Sequence, residues 1–365
     1  MTRILIVGAG LAGLYAAYRL EQLGIRDYAL LEARAAPGGR IASAEGRAAS
    51  AADRFDLGPT WFWPSLQPQL GQLIDDLGLR RFAQHETGEM LVERTAGSAP
   101  MRMRGYVSEP AALRLFGGMQ SLVDALVARH DPRKMFTQRP VRALRQAGAR
   151  IEIGSEGPGG RREMSADEVW LALPPRLAIQ DLQFVPELPA ALRRQWSATP
   201  TWMAPHAKYV ALYEHPFWRE QGLSGEARSL LGPLGEIHDA SLPGGGAALF
   251  GFFALPAHMR RNAPEAALRG VCREQLARLF GPTAAAPVAD FIKDWALEPL
   301  TATEADRIIP QAHAEAPLAT TSDGPWQGRL RGIASEWSAQ FPGYLAGAVD
   351  AAEGAIAGLV ARHLR

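Results

Sequence analysis

The stretch that most constrains this chain is residues 3–40. Arg3–Val7 is an apolar run suited to a strand buried on both faces, and the glycine turn GAGLAG, Gly8–Gly13, follows at once. An alanine-rich segment of helical character then runs to Gly24, and a second apolar run, Tyr28–Leu31, ends in the acid Glu32. Strand, glycine turn, helix, strand and acid within ~30 residues form a βαβ unit that binds a dinucleotide. Gly8 permits the tight turn, Gly10 lets a pyrophosphate approach the backbone, and Gly13 lets helix and strand pack closely. The helix start, at Leu11 and Ala12, offers unpaired N–H groups and a partial positive charge. Glu32 can accept hydrogen bonds from both ribose hydroxyls, and its charge disfavours a 2′-phosphate.

The sequence after the acid separates FAD from NAD. Glu32–Arg40, EARAAPGGR, continues with Ala33, Arg34, a second glycine pair (Gly38 and Gly39) and Arg40. An NAD site has no need of this extension, whereas an FAD site can use it for further backbone approach and a charge-assisted contact from Arg40. In these residues the chain resembles the flavin monoamine oxidase family, part of the FAD-dependent amine oxidase superfamily.

The resemblance continues in order. Asp56–Trp61 (DLGPTW) is similar to the family loop beside the flavin, and Gly117–Leu122 to its glycine-opened helix. Pro140-Val141 is similar to the strand whose valine backbone holds adenine, and Glu168–Pro175 to the returning strand. Pro216–Trp218 matches a substrate-domain marker, and Ala334–Ala348 the closing motif. The resemblance implies non-covalent FAD contacts from Gly58, Pro59, Thr60, Trp61, Val141, Trp295, Ser335, Glu336, Gly343, Tyr344 and Ala348. Glu336 is expected on the ribityl hydroxyls. A helix beginning near Gly343, after a strand at 330–334, would point its positive end at the flavin's pyrimidine side.

The implied fold class is α/β: a Rossmann-like FAD-binding domain of the two-dinucleotide-binding-domain type, with a discontinuous α+β substrate domain. Residues 1–80, 116–176 and 291–365 are assigned to the first, 81–115 and 177–290 to the second. Residues 205–214 and 247–255 read as strands, 186–196 and 263–281 as helices. Gly157–Gly160 and Gly244–Gly246 read as turns. Family members typically insert a long helical segment where this chain has only 81–115, so a reduced cover over the active site is expected.

The resemblance assigns chemistry to two residues. Lys208 stands where the family has a lysine that holds a water against flavin N5, and a cation there can stabilise charge developing on oxygen. Tyr344 matches a tyrosine beside the substrate face. Its aromatic partner falls near Ala305, with Glu304 where some relatives link the flavin through cysteine, so the pair reads as incomplete. Trp61, Trp63, Trp295, Trp337 or Phe341 could supply the missing wall. Amine oxidation by hydride transfer needs position and a dry pocket rather than an acid–base pair. His206, His215, His238, His258 and His313 lack metal-ligand spacing and read as surface or packing residues.

Composition bounds the rest. Apolar residues make up 47% and charged residues 21%, with net charge +1, which favours neither nucleic acid nor an acidic partner. Of 39 basic residues only Lys134, Lys208 and Lys293 are lysine, a bias expected of a GC-rich bacterium. The single cysteine, Cys272, excludes an internal disulfide and reads as core on one helical face with Leu268, Val271, Leu276, Leu279 and Phe280. No apolar run suits a membrane span and no signal peptide is evident, so a cytoplasmic protein is expected. The expected partners are a small-molecule amine and oxygen, and a homodimer is compatible with the sequence. The alternatives are a flavin-dependent oxidase or desaturase of a larger natural product, and a non-catalytic FAD-binding protein.

Overall fold

The computed structural model describes residues 3–46, 53–308 and 314–363. His313 lies outside them. A five-stranded parallel sheet runs in the order Leu330–Gly332, Glu168–Leu171, Ile4–Val7, Tyr28–Leu31, Met135–Phe136. Side chains alternate between its faces, so the apolar runs are buried on both. Ile4, Ile6, Tyr28 and Leu30 meet the helices Leu11–Gln22, Gln120–Ala128 and Leu345–His363. Leu5, Val7, Ala29 and Leu31 meet a second layer. That layer is a four-stranded sheet in the order Arg162–Ala166, Arg150–Ser155, Val141–Ala147, Gln183–Val185. Burying each such Leu or Ile contributes roughly 1.5–3 kcal/mol. Gly13 sits at the tightest approach, where a Cβ would strike the Gly8 carbonyl and crowd Ala172.

A seven-stranded sheet forms the other half, ordered Ala289–Asp294, Ala207–Tyr213, Ala247–Phe253, Leu234–Asp239, Leu223–Ser229, Glu89–Glu93, Met101–Arg104. Its last two strands come from the short segment 81–115, joined through parallel pairing of Glu89–Glu93 with Leu223–Ser229. The period of two separates two faces. Tyr209, Ala211, Tyr213, Ile237 and Leu249 pack under the helix Glu265–Phe280, with Cys272 buried among them. Val210, Leu212 and Phe250 pack on the other face with Phe55 and Trp61, toward the cofactor half.

Several boundaries differ from expectation for local reasons. The strand expected at 330–334 ends at Gly332. The closing helix starts at Leu345 because Gly343, at φ 84°, turns the chain first. Proline pushes the 186–196 helix to Ala190–Ala198, starting after Pro189. The 263–281 helix runs Glu265–Phe280, between Pro264 and Gly281 at φ 95°. Val271 is 41% exposed, so it belongs to the helix's outer side and not to the face of Cys272. Among the described residues no helix is long and apolar enough to cross a membrane.

Candidate active site

One cavity of about 640 Å³ runs from the C-terminal ends of the parallel strands to the face of the seven-stranded sheet. At its first end the glycine turn leads into the helix Leu11–Gln22, whose start carries no side-chain cap. Its first N–H groups therefore suit an anionic phosphate. The second glycine pair folds onto the first: Gly38 bridges Gly10, and a Cβ on Gly39 would sit 3.0 Å from the Gly10 Cα. This cradle admits only bare backbone. The buried Glu32 carboxylate is held from below, accepting Ala9 N–H at 2.7 Å and Arg34 N–H at 2.8 Å. A carboxylate has about four lone-pair sites, so acceptor capacity remains for a ribose. Pro140 and Val141 close the same end. The residues present therefore fit an adenosine diphosphate moiety.

At the second end, Lys208 lies in the middle of the sheet and is 2% exposed. Its Nζ donates to Thr60 Oγ1 at 2.5 Å and the Gly58 carbonyl at 3.2 Å, and stands 4.0 Å from the Phe250 ring centroid. Burial pulls its pKa down to about 7, the buried Asp56 opposes that shift, and Arg114 adds to it. Asp56 in turn accepts the Met119 N–H at 2.8 Å. Trp61 and Trp295 line the same end. Trp61 donates to Gln84 Oε1 at 2.9 Å, and Trp295 to the Leu57 carbonyl at 3.1 Å.

The structure brings to this one cavity every site residue read from the sequence except Gly13 and Glu336. Gly13 serves packing, as described. Glu336 stands behind the cavity lining. It is 2% exposed, and its two oxygens accept from Arg40 at 2.5 and 3.0 Å. The pair aims Arg40, which does line the cavity. The loose alignment at Glu304 and Ala305 also gives way: Leu300 and Thr301 reach the cavity instead. Cys272, the chain's one cysteine, sits in the core under the far face of the sheet, so it lies away from the cavity and cannot link a flavin there.

Among the lining residues that the sequence does not mark as site residues, Trp202, His206, Glu236 and Phe252 bear most on the chemistry. Trp202 packs so closely on Gly343 that a Cβ there would run into its side chain, which sets an indole beside Tyr344. Trp63 also lines the cavity, whereas Trp337 and Phe341 do not. His206, Glu236 and Phe252 are cavity residues too. His206 carries a buried Nδ1 with no hydrogen-bond partner, and burial lowers its pKa. His238 is a packing residue, edge-on to Trp61 at 4.9 Å between centroids. Residues 247–255 read as a strand from the sequence alone, but which strands neighbour Lys208 cannot be read from it.

Residues 90–355 match the family model of flavin containing amine oxidoreductases, and residues 6–77 that of NAD(P)-binding Rossmann-like domains. With the cradle and the lysine-bearing sheet, this places the chain in a two-part class of flavoproteins. The chain belongs to the flavin containing amine oxidoreductase family, and FAD is its cofactor. Putrescine oxidase of Kocuria rosea is 29% identical over 205 residues, covering 52% of this chain and 41% of that protein. A solved wild-type putrescine oxidase bound to putrescine superposes with a TM-score of 0.79 at 21% identity, covering 99% of each chain. Cyclohexylamine oxidase from Brevibacterium oxydans IH-35A gives 0.80 at 19% identity over 100% of each. At these identities the solved structures establish the fold.

Proposed function

We propose that this chain is an FAD-dependent amine oxidase that takes a hydride from the carbon beside the amine nitrogen and passes the electrons to oxygen, releasing hydrogen peroxide. Bound FAD supplies the hydride acceptor. The observation that carries the reading is the buried Lys208 side chain on the cavity wall, tethered through Thr60 and Gly58. Its charge can stabilise negative charge developing on oxygen in a water-poor site. Glu32, the two glycine turns, Arg40 and Ser335 hold and orient the cofactor, while Gly58–Trp61 run along its ring end. Tyr344 and Trp202 together provide the aromatic wall against which a neutral amine is positioned. In this reading 1–80, 116–176 and 291–365 carry FAD and 81–115 with 177–290 shape the substrate end, the Ala289–Asp294 strand spanning the seam. The relatives named for putrescine and cyclohexylamine support an amine as substrate. The scarcity of lysine against arginine supports a bacterial source.

The cavity takes none of its lining from 81–115, which favours a second reading, oxidation or desaturation of a larger natural product. A panel of amines under air, read by peroxide release and by bleaching of the flavin band under nitrogen, separates the two. Bleaching and peroxide with simple amines support the oxidase. A flavin that photoreduces and reoxidises but is bleached by no amine favours the second reading.

A further inference from the structure

Lys208 stands on the cavity wall with its N–H groups already engaged. An ammonium has three donors. One goes to Thr60 Oγ1 at 2.5 Å and one to the Gly58 carbonyl at 3.2 Å. The Nζ also lies 4.0 Å from the Phe250 ring centroid, near enough for the third to meet the ring face. Thr60, which accepts from Lys208, is in the opposite position. A threonine hydroxyl has one O–H donor and two lone pairs. Thr60 is 5% exposed, lines the cavity, and among the described residues its side chain makes no hydrogen bond except the one from Lys208. Its own hydrogen is thus left for what occupies the cavity.

The loop that carries Thr60 is fixed on both sides. Before it, Leu57 N–H donates to the Ala42 carbonyl at 2.8 Å, and after it Phe62 exchanges both backbone bonds with Leu113, at 3.0 and 2.9 Å. Between them, a Cβ on Gly58 would strike the Arg40 carbonyl at 2.2 Å, which seats the loop against the second glycine turn. The charges that face Lys208 are the buried Asp56 and Arg114, and Lys293, its direct partner on the neighbouring strand. Lys293 is itself paired with Glu298 at 2.9 Å, and Glu236 stands beyond Phe252 on the other side. None of these side chains bonds Thr60. A hydroxyl that accepts from a cation is a stronger donor through its own O–H, because hydrogen bonds in a chain polarise one another.

We propose that Thr60 is a catalytic residue of the oxygen reaction, its hydroxyl passing a proton from Lys208 to oxygen. This rests on the amine oxidase reading and names how that site uses its lysine. Oxygen becomes hydrogen peroxide by gaining two electrons and two protons. Both electrons and one proton are those that the substrate gave up as hydride. The second proton comes from Thr60: its O–H bond breaks as the new bond to oxygen forms, and one Lys208 N–H bond breaks as Thr60 regains a proton. Lys208 is left a neutral amine and takes a proton back from water when the product leaves.

The test uses FAD-loaded protein, photoreduced under nitrogen so that no substrate need be known, then mixed with oxygen by stopped flow in light and heavy water. Thr60→Val keeps the shape and loses the hydroxyl, and Thr60→Ser keeps the hydroxyl; Thr60→Ala replaces the valine variant if that one does not hold FAD. Wild-type reoxidation should be slower in heavy water. Thr60→Val should reoxidise about tenfold to a hundredfold more slowly, as the loss of one charge-assisted hydrogen bond implies, and lose the isotope effect. Thr60→Ser should keep most of both. Added to Lys208→Met, Thr60→Val should slow the reaction little further, since coupled residues are not additive. Wild-type reoxidation without an isotope effect would overturn the proposal. So would Thr60→Val at the wild-type rate, Thr60→Ser no faster than Thr60→Val, or Thr60→Val and Lys208→Met effects that multiply. A Thr60→Val profile displaced in pH, with limiting rate and isotope effect retained, would make Thr60 a support for the Lys208 charge and equally end the relay. Wild-type protein that photoreduces but does not react with oxygen would remove the oxidase reading itself. Fast reoxidation that depends on Lys208 but not on Thr60 would spare that reading and remove the relay alone.

Discussion

The two ends of the cavity are built by opposite means. The cofactor end is almost contiguous in sequence: residues 8–13 and 32–40 fold against each other within one βαβ unit, and the Gly10–Gly38 bridge closes them. The substrate end is assembled from Thr60, Trp202, Lys208, Glu236, Phe252 and Tyr344, which meet only through sheet register and the packing of one half on the other. The first is held by backbone geometry and tolerates little beyond glycine. The second is held by side chains on a rigid floor, so its shape can change while the floor stays. Lys208 spans the junction, reaching from the floor to the Gly58 carbonyl.

This contrast orders the expected effects. The largest belongs to the cofactor end. Glu32→Ala removes the carboxylate that anchors Ala9 and Arg34 and that we propose holds the ribose. Two charge-assisted hydrogen bonds at about 1.5–3 kcal/mol each imply a loss of about 10²–10⁴-fold in FAD affinity. Titration of apoprotein with FAD reads this, with far-ultraviolet circular dichroism reporting the fold. Unchanged affinity would show that Glu32 supports the turn alone and that the cofactor end does not depend on this acid.

Next comes the junction. Lys208→Met keeps most of the volume and removes the charge. Reoxidation of reduced protein by oxygen should slow about 10²–10³-fold, on the scale of removing one electrostatic donor, while reduction by substrate under nitrogen slows much less. Stopped-flow mixing measures both half-reactions. Equal reoxidation rates would take Lys208 out of the oxygen chemistry and turn the reading toward another electron acceptor.

The same contrast explains what could be read from the sequence. The strand, turns, Glu32 and Arg40 announce themselves because each follows its neighbour at fixed spacing. Lys208 stands out through the family resemblance, supported by the strand around it and the scarcity of lysine in the chain. Nothing local to Glu336 shows that Arg40, 296 residues away, donates to both its oxygens. Trp202 precedes its strand in a loop with no periodicity, and only Gly343 at φ 84° makes room for it. A lone histidine carries no spacing signal, so nothing local to His238 shows that Trp61 and Phe250 pack on it.

The smallest of these effects is also the one that probes the junction without a mutation. Burial brings the Lys208 pKa down to about 7, against the pull of Asp56. Below that value Lys208 is an ammonium, and above it a neutral amine. If the charge assists oxygen, the rate of reoxidation is highest at low pH and falls as pH rises through about 7, approaching tenfold per unit until a charge-independent floor is reached. Reduction by substrate should run the other way, because the reacting amine must be neutral. Stopped-flow reoxidation of pre-reduced protein from about pH 6 to about pH 9 gives the profile. Asp56→Asn sharpens it: without the anion the ammonium is harder to hold, so the midpoint should move to lower pH while the limiting rates stay similar. A flat profile in wild type, together with an unmoved midpoint in Asp56→Asn, would mean that Lys208 keeps one charge state throughout. Its tethers to Thr60 and Gly58 would then have to be read as structural.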